Sequence, residues 1–128
     1  MPPSLCHAPL ARADRQVVLV DLRGVLRGAR ALGVSGNFST TAAVYQTNHG
    51  AAHDLAGTNV ANPVGQIYSL AMLLRESFGL AAAADQVEHA VRKVWQEGWR
   101  TADLWEPGCR PAGTREMGEL VAAAVMRP

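Results

Sequence analysis

Asn48-His49-Gly50-Ala51-Ala52-His53-Asp54-Leu55-Ala56-Gly57, closed by Ala61-Asn62-Pro63, divides this 128-residue chain into two unlike parts. Two glycines, two histidines and an aspartate in so short a run specify a polar loop, one that exposes backbone N–H groups and lets a ligand approach the main chain. Asn62 and Pro63 then read as a helix start. The asparagine side chain can accept from the free N–H groups of a first turn, and proline fits the first helical position, where its missing donor costs nothing.

Downstream of the loop the pattern is helical. Val64, Ile67, Tyr68, Ala71, Leu74 and Phe78 fall on one stripe at helical spacing, and Gly79 supplies a stop, giving a helix over Pro63–Phe78. A second helix is expected over Ala81–Glu97, with Ala84, Val87, Val91, Val94 and Trp95 inward and Gly98 ending it. Trp99–Pro111, containing Pro107-Gly108, reads as a connector. Thr114 is placed to cap a last helix, with Glu116 in its first turn and Leu120, Val121, Ala124 and Val125 as its core stripe.

Upstream, the periodicity shortens. Ala42–Thr47 reads as a short strand leading into the loop, and Gly33–Phe38 as a glycine-punctuated strand edge or turn. Val17-Val18-Leu19-Val20 is an apolar β-branched run of the buried-strand kind, within Gln16–Asp21. Leu22–Leu32 alternates Gly, Arg and aliphatics and reads as a short helix weakened by Gly24 and Gly28. Residues 1–15 hold three prolines without periodicity and are expected to be a loose tail, leaving residues 16–128 as a single domain. The fold class is α/β, rich in helix with a few short strands.

Composition bounds the function. Apolar residues make up 48 %, charged residues 18 %, and the net charge is +1; these values suit an ordinary folded domain and exclude a disordered chain. A charge near zero gives no reason to expect nucleic acid as a partner. Arg12, Arg15, Arg23, Arg27 and Arg30 crowd the first quarter without interleaved aromatics, and read as a solvated basic face. Cys6 and Cys109 lack any metal or disulfide spacing, and are expected to be free thiols in a reducing cytoplasm. No apolar run approaches the ~18 residues of a membrane span. Ser35, Ser39 and Ser69 have no His/Asp pattern for a hydrolase triad, and Gly33-x-x-Gly36 lacks the context of a dinucleotide fingerprint. His49 and His53 are four apart, but Gly50 and the loop composition argue against the helix that a metal pair would need.

The loop resembles, almost position for position, the adenosine-gripping loop of the isocitrate/isopropylmalate dehydrogenase family. The family pattern is H-G-S-A-P-D-I-A-G followed by Asn-Pro; here it stands as H-G-A-A-H-D-L-A-G with Asn62-Pro63. Three later stretches are similar too: Leu70–Arg75 with Ser77-Phe78-Gly79, Gly98–Leu104 against G-Y-R-T-x-D-I, and Gly113–Gly118 against G-T-x-E-M-G. Order and spacing agree from about Leu32 onward, and four motifs in sequence make chance a poor explanation. The likeness implies a C-terminal fragment of that family's fold.

The resemblance implies roles for individual residues. His49 and Asp54 correspond to contacts of the adenosine half of the cofactor and Asn62 to a contact of the adenine, with Gly50, Ala51 and Leu55 as further cofactor-binding positions. Asp54-Leu55 is the NAD form of the motif, since a carboxylate accepts from a ribose 2′-OH and repels a 2′-phosphate; NADP-using relatives carry lysine and tyrosine there. Plainer roles stand beside these: a surface histidine for His49, a turn cap for Asp54, a helix cap for Asn62. Gln46, Asn48 and His53 depart from the usual Glu, aliphatic and Pro, and His53 is expected to play no specific part.

The likeness covers the final third of a family subunit, without the substrate-binding arginines or the proton-moving Tyr and Lys. The family's metal carboxylates, which hold Mg2+ or Mn2+, belong to a stretch of the kind N-L-F-G-D-I-L-S-D. Leu22–Arg27 is a shortened echo of it, with Val25 and Ala29 at the two aspartate positions. A hard cation needs oxygen ligands, and Asp21 alone stands nearby. The expectation is a truncated homologue of an NAD-dependent oxidative decarboxylase, holding NAD weakly, with no catalytic or metal residues and no activity alone. Its partners would be NAD and either a longer dehydrogenase-like chain or itself. A nucleotide-binding or regulatory partner of such a chain, or a non-functional gene remnant, are the alternatives.

Overall fold

The computed structural model describes residues 32–39 and 41–127. The expected tail, the strand at Gln16–Asp21, almost all of the helix at Leu22–Leu32 and the arginine-rich stretch lie outside the described residues. Chain order is β1 (Val34–Phe38), β2 (Ala43–Thr47), α1 (Val64–Glu76), α2 (Ala81–Gln96), β3 (Trp99–Arg100), β4 (Arg110–Pro111) and α3 (Thr114–Met126). Three helices and few, short strands make it a helix-rich α/β arrangement, as the sequence leads one to expect.

β1 and β2 form an antiparallel pair in which Gly36 faces Tyr45. This hairpin lies against α1, and the Tyr45 hydroxyl is 2.7 Å from that of Ser77 just past the helix end. A Cβ at Gly36 would sit 3.0 Å from the Phe38 ring and 3.3 Å from the Met72 sulfur, so the hairpin packs closely only because that position has no side chain. The valines and alanines of α2 supply the centre of the core. Ala84, Val87, Ala90, Val91 and Val94 are buried, each buried valine contributing about 1.5–3 kcal/mol over an exposed one. Val64 from α1 and Met117 and Val121 from α3 close around Ala90, Val91 and Val94, while Ala84 and Val87 pack with Ala71 of α1.

The helix ends follow their punctuation. Pro63 stands at the N-cap of α1, one position before the helix rather than at its first residue, and Asn62 Oδ1, one position further out, accepts the Val64 N–H at 3.0 Å. Gly79 adopts a left-handed φ of +65° and Gly98 one of +91°, each where a helix stops. Arg100 then donates from Nη1 to the carbonyl of Trp95 (2.7 Å), in the last turn of α2, and to that of Trp99 (2.8 Å), beyond the helix.

Three further expectations need correction. Phe78 is not part of the α1 stripe: the helix stops at Glu76, and Phe78 is 63 % exposed. Thr114 does not cap α3. It is the first helical residue, and its hydroxyl donates to the Ala61 carbonyl at 2.6 Å. The Trp99–Pro111 connector is not plain loop, because its ends pair in parallel, Trp99 with Arg110 and Arg100 with Pro111.

Candidate functional site

β2 delivers the chain into a loop over residues 48–62. Every residue from Asn48 to Ala61 is exposed, and the interior of the loop is organised by a single short turn. His53–Leu55 form one turn of 3-10 helix, tied by Leu55 N–H to Ala52 carbonyl (3.0 Å) and Ala56 N–H to His53 carbonyl (3.2 Å). The Thr58 hydroxyl donates to the Leu55 carbonyl at 2.7 Å, which fixes the exit of the turn. Asp54 stands at the centre of this turn.

Each of the six residues singled out by the sequence has a definite setting. His49 and Gly50 are exposed at the loop entrance, with His49 Nδ1 3.0 Å from the Gly50 carbonyl oxygen. Ala51 follows, exposed as well. The Asp54 carboxylate has no hydrogen-bond or ion-pair partner among the described residues. Leu55 is partly exposed at the end of the turn.

Asn62 differs from the others: it is half-buried at the base of α1 and its side chain is already engaged. Oδ1 serves Val64, and Nδ2 donates to Asp103 Oδ2 at 3.0 Å. One N–H and one lone pair of that amide remain for a ligand. His49, Asp54 and Asn62 are thus carried by one loop, but no hydrogen bond joins them to each other.

Two residues important to this arrangement are not evident from local sequence. Asp103 accepts from Asn62 and, through Oδ1, from the buried Thr101 hydroxyl at 2.6 Å, so it ties the connector to the base of the loop. Asn59 bonds the start of α3 through its carbonyl and its side chain. The only available signal for Asp103 was its place in the Gly98–Leu104 motif. For Asn59 there was none, because its partners lie more than fifty residues away.

The arrangement suits a ligand rich in hydroxyl donors. An unpaired, solvent-facing carboxylate on an ordered turn can take both hydroxyls of a vicinal diol, and a carboxylate accepts such bonds more strongly than a neutral group does. Among the described residues no three His, Cys, Asp or Glu side chains are grouped to hold a metal ion. Among the described residues, no helix is long and apolar enough to cross a membrane.

Comparison with known proteins gives a consistent result. The family profile described as isocitrate/isopropylmalate dehydrogenase matches residues 17–121. The chain is 54 % identical to 3-isopropylmalate dehydrogenase of Cupriavidus metallidurans over 82 residues, covering 64 % of this chain and 23 % of that one. Against 3-isopropylmalate dehydrogenase of Desulfitobacterium hafniense it is 44 % identical over 108 residues, 84 % of this chain and 31 % of the relative. In three dimensions it is similar to isocitrate dehydrogenase from Methylococcus capsulatus, with a TM-score of 0.73 and 36 % identity over 84 % of this chain and 31 % of that one. A β-decarboxylating dehydrogenase from Thermococcus kodakarensis superposes with a TM-score of 0.69 at 34 % identity, over 83 % of this chain and 30 % of that one. The chain therefore spans between about a quarter and a third of the length of each of these relatives.

Proposed function

Because the chain belongs to the isocitrate/isopropylmalate dehydrogenase family, whose profile covers residues 17–121, we propose that residues 49–62 grip the adenosine half of NAD. The observation that carries this reading is the Asp54 carboxylate, exposed on its 3-10 turn and without a partner among the described residues. It accepts the ribose hydroxyls, and the same charge disfavours a 2′-phosphate. His49, Gly50, Ala51 and Leu55 line the approach. Asn62, with its amide held by Asp103, offers its remaining N–H to the adenine. NAD supplies a hydride acceptor when bound; the residues named here hold and orient it and move no proton.

Residues 16–128 act on this reading as one partial domain, contributing the nucleotide end of a metal-assisted oxidation of a 2-hydroxy acid. The cation site and the substrate-binding groups do not come from these residues, so a cytoplasmic polypeptide of this sequence binds NAD weakly and turns nothing over unaided. Calorimetric titration of the purified chain with NAD and NADP tests the reading. NAD is expected to bind about tenfold or more tightly than NADP, the worth of a charge-assisted hydrogen bond. Equal affinities, or NADH formed from isopropylmalate with magnesium, would overturn it.

A further inference from the structure

Asn59 joins the loop to the last helix. It is the one described non-glycine residue with a positive φ, 60°, a left-handed conformation that asparagine and aspartate tolerate better than other side chains. In that conformation its carbonyl accepts the Thr114 N–H at 2.9 Å, and its side-chain Oδ1 accepts the Arg115 N–H at 2.9 Å. The Thr114 hydroxyl returns a bond to the Ala61 carbonyl at 2.6 Å. Two free donors at the start of α3 are thereby satisfied by a residue remote in sequence. Gly113 completes the fit. A Cβ there would fall on the Asn59 side-chain amide and lie 2.9 Å from its carbonyl oxygen.

Asn59 stands five residues after Asp54 and three before Asn62. We propose that it is a positioning residue for the nucleotide grip: by fastening the rear of the loop to the first turn of α3, it holds the turn carrying Asp54 in register with Asn62. This inference rests on the reading of the loop as an adenosine grip. It adds that the start of α3 is energetically linked to the nucleotide, and linkage of this kind is reciprocal. NAD bound to an ordered loop therefore protects the Thr114 and Arg115 amides from hydrogen exchange.

The test is NAD titration of the chain and of Asn59→Ala, Asn59→Asp and Asn59→Gly, with amide exchange at Thr114 and Arg115 measured with and without NAD. Asn59→Ala is expected to weaken NAD about fivefold or more, within the usual range of coupling between sites. Asn59→Asp keeps the acceptor, adds a charge favourable at a helix start, and should bind within about twofold of the parent. Asn59→Gly keeps the backbone bonds and loses Oδ1 alone; it gives an intermediate loss and serves where the alanine variant fails to fold. Slower exchange on adding NAD should appear in the parent and in Asn59→Asp, and vanish in Asn59→Ala. Failure of the parent to bind NAD would remove the adenosine grip and this role together. A parent that binds NAD beside an equally tight Asn59→Ala would overturn the positioning role alone. Equal losses in the alanine and aspartate variants, following a common drop in melting temperature, would mark Asn59 as merely structural and overturn it too.

Discussion

Asp54 combines a backbone held by the hydrogen bonds of its turn with a residue exposed to solvent. Substitutions at such positions usually move stability by less than ~0.5 kcal/mol. Asp54→Ala should therefore leave the melting temperature almost unchanged while lowering NAD affinity more than tenfold, a separation that parallel melting and titration would check. The residues with a local signature were legible without coordinates. Asn62 precedes a proline, and its side chain takes the first N–H of the helix that follows; Gly79 and Gly98 follow apolar stripes and stop them. Thr114 misled, because a threonine ahead of an apolar run normally caps it. Here the cap comes from Asn59, and nothing in the neighbourhood of either residue announces a bond across 56 positions.

α1 and α2 are joined on their outer side by Arg75, which bonds Glu88 at 2.8 Å and Asp85 at 2.7 Å, while Arg92 takes the second oxygen of Glu88 at 3.0 Å. The hydrogen bonds that Arg75 donates to Glu88 and then to Asp85 raise its pKa above the ordinary arginine value. A raised folded-state value adds stability that is complete below the ordinary value and is lost only as pH climbs past it, so titration of Arg75 itself gives no pH dependence in acid or neutral solution. Salt is the better probe, since exposed pairs are screened. Arg75→Ala should cost about 1 kcal/mol or less in urea unfolding at low ionic strength, with the difference from the parent shrinking in 1 M sodium chloride. The helices were legible as elements because each carries a long apolar stripe bounded by proline or glycine. β3 and β4 were not: two residues each are too few to show a period, and their pairing depends on where α2 and α3 put the ends of the connector.

At the scale of the whole molecule, the described surface carries several large apolar side chains. Val44, Leu70, Phe78, Leu80, Trp105 and Met126 are all large and exposed, and β1 and β2 pair only with each other among the described residues. Exposed strand edges and apolar patches favour association. The purified chain should therefore bind hydrophobic dyes or sediment above its monomer mass; a sharp cooperative melt of a monomer that binds no dye would show a self-sufficient core. The class of fold was legible at this scale from the change of period at residue 48, but the assembly was not, because it is decided by contacts between segments far apart. Those contacts also impose an order in time. α1 and α2 meet across a short turn, whereas the bonds between Asn59 and the start of α3 close a span of 56 residues; longer closures carry a larger entropic cost and distant contacts tend to form late. On a ribosome adding ~5–20 residues per second, the helical pair can dock while the loop behind it is still unshaped. The loop over residues 48–62 precedes both of those helices in the sequence, yet its bonds to the start of α3 form only when that helix has been made.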